Sequence, residues 1–267
     1  MPARYPERIV CLTEETTETL YLLGEERRIV GISGYTVRPP RARREKPRVS
    51  AFLSAKNDAI LALKPDLVLG FSDLQADIAR DLAKAGLNIV LFNQRSVDEI
   101  LSMVLMLSSM VGATARGQAL VQELEASLAE IRGAAARLPR RPKVYFEEWD
   151  EPLISAIRWV SELVTLAGGE DIFAERSHSQ AATGRIVSPD AVVAKRPDVM
   201  IASWCGKKFR PERVTARTGW SAVPAVRDGE LHEIKSAEIL QPGPAALTDG
   251  VRRLHAIIAR WAGRCAP

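Results

Sequence analysis

Two pairs of adjacent glutamates, Glu14-Glu15 in CLTEET and Glu147-Glu148 in YFEEWD, each follow a short apolar run that reads as a buried strand. Carboxylates gathered at strand ends repel one another unless a cation, a metal or an amide-bearing group lies between them. The other reading is that one or both pairs cap helix N-termini and face solvent. Trp149 comes directly after the second pair, and Trp204-Cys205 follows a further apolar run, VMIAS. His178 in ERSHSQ and Cys205 add an imidazole and a thiol, which with Glu147 or Glu148 would make a set of first-row metal ligands. No ligand spacing accompanies them, so an ordinary loop histidine and a packed small cysteine are the expectation, and no metal site. No phosphate-cradling glycine loop, Gly-x-Ser-x-Gly elbow or His-Glu-x-x-His helix is present, and no catalysis is expected.

The elements that must position these groups are legible from periodicity. Ala113 to Leu138 carries Leu120, Leu124, Leu128, Ile131 and Leu138 on one face, with Pro139 and Pro142 beyond. That predicts one helix of about 25 residues, roughly 37 Å long. On either side of it the chain repeats itself. DAILALKPDLVLGF at 58–71 matches DAVVAKRPDVMIAS at 190–203, and TETLYLLGEERRIVG at 17–31 matches SELVTLAGGEDIFAE at 161–175. A period this long argues for two related lobes rather than a solenoid. In the first half, strands are expected at Arg8–Thr13, Ile29–Ile32, Leu67–Phe71 and Asn88–Phe92, alternating with helices as a parallel sheet requires. The segment SGYTVRPPRARREKPR reads as irregular. The second half restarts with a strand at Lys143–Phe146 and ends in a helix over Ala245–Trp261. Expected boundaries are thus 1–112, 113–138 and 139–267.

Composition bounds the class but names no function. The 267 residues are 46% hydrophobic and 26% charged, with net charge +4, an ordinary globular balance. The basic runs at 38–48 and 137–143 lack interleaved aromatics and read as solvated turns, not a nucleic-acid site. Cys11, Cys205 and Cys265 form neither a disulfide framework nor a zinc pattern. MPARYPERIVCL lacks the apolar core of a secretory signal, and no run is long enough to span a membrane, so a cytoplasmic protein is the expectation from these residues alone.

A β-α lobe, one long linking helix, a second β-α lobe, and LALKPDLVLGF with its Pro-Asp counterpart resemble the helical-backbone substrate-binding proteins of ABC importers. The cobalamin- and iron-siderophore-binding receptors are the branch most similar. The resemblance covers essentially the whole chain. It implies two Rossmann-like α/β lobes joined by a backbone helix, with a ligand cleft between them. It also implies a corrinoid or metal-chelate cargo rather than a cofactor, a periplasmic location, a monomer, and an ABC permease as partner. An acidic residue on each lobe docks onto permease arginines in that family; Asp58 and Asp190 match, with Asp where the family usually has Glu, and a first-turn acid is favoured by the helix dipole in any case. The implied ligand contacts are the strand-end residues Glu14, Glu15, Tyr35, Phe52, Phe71 and Asn93, then Glu147, Glu148, Trp149, His178, Trp204 and Gln241. Aromatics suit a flat corrin-like ligand, while the Glu pairs depart from the family's small polar residues and point to a cationic, amide-bearing or metal-containing cargo. A cytoplasmic carrier or enzyme on the same scaffold is the alternative.

Overall fold

The computed structural model describes residues 5–264, so Cys265 lies outside them. The chain divides into two compact units: residues up to Gln94 with Asp98–Glu123, and Arg95–Val97 with everything from Leu124 onward.

The first unit alternates strand and helix: β1 (Ile9–Cys11), α1 (Glu14–Leu22), β2 (Ile29–Ser33), α2 (Ala42–Glu45), β3 (Arg48–Ser50), α3 (Asn57–Ala62), β4 (Leu67–Phe71), α4 (Ala76–Lys84) and β5 (Ile89–Phe92), then α5 (Val97–Met110). Its strands run in the order β3-β2-β1-β4-β5, and all pairs are parallel. β1 and β4 are apolar without alternation because helices cover both faces of such a sheet. The arginine-rich segment expected to be irregular contains α2 and β3. Ala42 is fully buried, and the Arg48–Ser50 edge strand pairs with β2, so a local run of Pro and Arg was overridden by an available sheet edge.

Helix α6 (Thr114–Ala135) is unbroken over 22 residues, as the spacing of its leucines requires, and the division between units falls within it after Glu123. Its start lies close against α5: a Cβ on Gly117 would come within 2.3 Å of the Ser108 Cβ.

The second unit holds β6 (Lys143–Asp150), β7 (Leu153–Ser155), α7 (Arg158–Leu166), β8 (Glu170–Asp171), α8 (Pro189–Lys195), β9 (Val199–Ala202), α9 (Pro211–Thr215), α10 (Pro224–Arg227), β10 (Leu231–Glu233), α11 (Ser236–Ile239) and α12 (Val251–Arg264). This sheet is separate from the first, ordered β10-β9-β6-β7 with β8 also on β6. Strand β6 does not stop at Phe146. It continues through the glutamate pair to Asp150 and turns back as antiparallel β7, with a bulge between Glu147 and Trp149. Tyr145, Phe173 and Trp220 pack edge to face at its core, ring centroids 5.9 and 6.1 Å apart. The closing helix opens as a π turn, Ala246–Gly250, and at Gly250 an added Cβ would meet the Glu238 carbonyl at 2.3 Å, so only glycine fits there.

The repeated Pro-Asp segments have one job in both units. Asp66 accepts the Glu7 and Arg8 amides at 2.8 and 3.0 Å, and Asp198 accepts the Lys143 amide at 2.8 Å, so each aspartate pins the entry to the first strand of its sheet. The residue before each proline, Lys64 or Arg196, is left-handed (φ 47° and 50°), ending the preceding helix where proline forbids its continuation.

Candidate ligand-binding faces at the strand ends

Open parallel sheets bind ligands outside the carboxyl ends of their strands, at the point where strand order reverses. In the first unit that point lies between β1 and β4. Thr13 and Glu14 follow one, and Ser72 follows the other. Ser72 is held at φ 64°, a conformation costly for serine, and its hydroxyl accepts the Leu74 amide at 3.3 Å. Gln75 ties two of the loops together, accepting the Phe71 amide at 3.0 Å and donating to the Phe52 carbonyl at 2.9 Å.

These loops carry the three most exposed of the first unit's large apolar side chains. Tyr35 after β2 is 62% exposed, Leu53 after β3 is 68% and Leu74 after β4 is 60%. A tyrosine and two leucines, one on each of three strand-end loops, make a feature that normally marks a binding surface. Leu53 and Leu74 escaped sequence reading because a lone leucine in a loop carries no periodic signal; only the sheet order brings them to one edge. Among the residues expected to touch ligand, Tyr35 and Asn93 are exposed and Phe52 is half-buried, whereas Phe71 is buried in the sheet.

Glu14 and Glu15 form the first turn of α1 but do not face solvent. Both are buried. Glu14 Oε2 accepts the Val37 amide at 2.5 Å, and Glu15 Oε1 accepts the Thr13 hydroxyl at 2.6 Å, leaving Glu14 Oε1 and Glu15 Oε2 without a hydrogen-bond partner. Burial drives their carboxyls up to about 8 and about 7, against the lowering effect of those hydrogen bonds. Beside them, Glu18 pairs with Arg38 at 2.9 Å, so the loop carrying Tyr35 is fastened along α1.

In the second unit the glutamates are already compensated, which corrects the expectation that a ligand must do it. Glu147 has no exposed surface. Arg217 donates to both of its oxygens, at 2.7 and 2.9 Å, and the Trp204 indole donates to Oε1 at 2.9 Å. Burial alone would lower the Arg217 pKa, but the Glu147 hydrogen bonds and charge raise it overall. Glu148 is clasped by the buried Arg185 at 2.5 and 3.3 Å. Trp204 is therefore a core residue, its ring against Phe209 at 5.2 Å. Asp150 is held by Lys207 at 3.2 Å and Arg213 at 2.7 Å.

Trp149 is the half-buried aromatic of this edge. Its indole donates to the Glu151 carbonyl at 2.8 Å, which fixes the ring plane, and the Lys207 ammonium lies 3.7 Å from the ring centroid. Gln241 is half-buried beyond α11, and His178 is exposed in its loop. Cys11 is buried and Cys205 exposed, and among the described residues no three His, Cys, Asp or Glu side chains converge as metal ligands. The arginines that decide this site, Arg185 and Arg217, lie 37 and 70 residues from their partners and left no spacing signal. Asp58 and Asp190 are exposed in the first turns of α3 and α8, at equivalent places in the two repeats.

The chain resembles known proteins over most of its length. The chain is 24% identical over 259 residues to the uncharacterized ABC transporter substrate-binding lipoprotein YvrC of Bacillus subtilis, spanning 93% of this chain and 79% of that one. It is 30% identical over 203 residues to the vitamin B12-binding protein of Vibrio cholerae, spanning 74% of this chain and 70% of that one. Among solved structures, the periplasmic heme-binding protein RhuT of Roseiflexus sp. RS-1 superposes with a TM-score of 0.81 at 24% identity, covering 94% of this chain and 99% of that one. The periplasmic binding protein family pattern matches residues 9–238, and the chain belongs to that family.

Proposed function

We propose that this protein is the substrate-binding component of an ABC importer and that it holds a corrinoid- or siderophore-like metal chelate without altering it. The observation that carries the reading is the apolar surface of the first unit, where Tyr35, Leu53 and Leu74 stand exposed on the loops that follow β2, β3 and β4. Such side chains cover a broad, partly apolar ligand at small entropy cost. In this reading Tyr35, Phe52 and Asn93 are the ligand-contacting residues of the first unit, and Trp149 is that of the second unit. Glu147 and Glu148 hold the second face together from behind. Relatives named as a substrate-binding lipoprotein and as vitamin B12- and heme-binding proteins support an extracytoplasmic receptor of this kind. Asp58 and Asp190 would meet the permease, and the receptor would work as a monomer.

Native mass spectrometry of protein purified from its own host, followed by calorimetric titration with cyanocobalamin and ferric siderophores, tests the proposal. A retained small molecule, or one-to-one binding of a titrated chelate, is expected. Protein-dependent chemical change of the bound molecule would overturn it.

A further inference from the structure

The second unit's strand-end edge does not carry the unpaired negative charge that two adjacent glutamates suggest. Glu147 is consumed by Arg217 and Glu148 by Arg185, so neither presents charge outward. Asp150 is nine-tenths buried or more and carries two cations, Lys207 and Arg213. Arg213 also reaches the exposed Glu151 at 3.6 Å, so it has a second counter-ion, while Lys207 has only the carboxylate it shares with Arg213. Lys208 and Arg210 follow Lys207 in the chain and are exposed, Lys208 close enough to Glu233 to help lower its pKa. The Lys207 side chain, 42% exposed, lies across the face of Trp149 whose plane the Glu151 carbonyl has already fixed. An ammonium in that position is oriented, partly desolvated and still open to a partner.

We propose that Lys207 on the Trp149 ring is an anion-recognising element, so the cargo bears a carboxylate or comparable acidic group on its periphery and is not a neutral or cationic chelate. This rests on the receptor reading above and specifies its ligand class. A ligand anion meeting Lys207 draws it away from Asp150, which keeps Arg213 as its counter-ion. The Trp149 face is then uncovered for the flat part of the same ligand. Recognition and stacking are thus coupled through one side chain.

The test compares iron protoporphyrin IX, which carries two carboxylates, with its dimethyl ester, in the same mixed solvent. Dissociation constants are read by tryptophan quenching in wild type, Lys207→Gln and Lys207→Glu. The wild type should bind the acid at least tenfold more tightly than the ester, with the preference shrinking as salt rises. Lys207→Gln should bring the ratio below about threefold, and Lys207→Glu should abolish or invert it. Thermal melts of Lys207→Gln should stay within a few degrees of the wild type because Asp150 keeps Arg213, whereas Lys207→Glu sets a second carboxylate beside Asp150 and should melt lower while remaining folded at the assay temperature. Equal affinities in wild type, or a ratio that survives Lys207→Glu, would overturn the inference while leaving the receptor reading intact if cyanocobalamin or a ferric siderophore still binds. Failure of every one of these chelates to bind would defeat both.

Discussion

Glu147 shows how a carboxylate with no contact to water is tolerated: two guanidinium bonds and one indole bond satisfy both oxygens. Removing one partner of such a pair strands the other charge, at a cost of about 3–5 kcal/mol. Glu147→Gln and Arg217→Met should each lower unfolding free energy by that order in urea titrations, and the double variant should cost clearly less than the sum. Substitution of a Glu147 that faced ligand would instead spare stability and weaken binding. Glu14 behaves differently. Its folded pKa, about 8, exceeds its unfolded value near 4.5, so the folded state binds more protons across that interval. Its contribution is therefore fully present below about pH 4.5 and is lost as pH rises through about 8. Glu15, raised to about 7, works in the same direction. Glu14→Gln keeps an acceptor for the Val37 amide and removes the titration. Melting curves from pH 5 to 9 should show the variant gaining on the wild type from pH 5 up to about 8 and no further beyond it, and parallel curves at every pH would reject the assignment.

At the scale of elements, the backbone helix was legible because its leucines recur at three, four and seven residues, and both Pro-Asp repeats were legible because proline and aspartate have few alternative uses. Edge strand β3 and hairpin strand β7 were not, being three-residue elements that exist only because a neighbouring strand offers hydrogen bonds. The exposed trio at the first sheet's edge and the arginine partners of the second were equally out of reach, for both depend on long-range placement. Helix α6 offers a test in which local propensity and packing disagree. Both Gly117 and Gly133 interrupt it, and alanine favours a helix over glycine by about 1 kcal/mol. Around Gly133 the nearest atom to an added Cβ is 4.0 Å away, so Gly133→Ala should stabilise by about 0.5–1 kcal/mol. At Gly117 the added carbon would fall 2.0 Å from the Ser108 hydroxyl, so Gly117→Ala should destabilise by about 1–3 kcal/mol. Chemical denaturation of the two variants should move in opposite directions.

For the whole molecule, the two units carry the same punctuation: a left-handed residue, Pro and Asp close a helix that an exposed aspartate opens. That helix N-terminus is where Asp58 and Asp190 sit, 132 residues apart in sequence, each without an ion pair among the described residues. An acid there gains about 0.3–1 kcal/mol from the helix dipole and has no further use for the fold. If the receptor delivers cargo to a permease through these two charges, removing them separates docking from binding. Asp58→Asn, Asp190→Asn and the double variant should melt within a few degrees of the wild type and bind the titrated chelate with unchanged affinity. Uptake into vesicles carrying the cognate permease should fall with each single change and nearly vanish with both. Normal uptake by the double variant would mean that both aspartates serve the helix dipole alone, and the permease contact would have to be sought elsewhere on the two units.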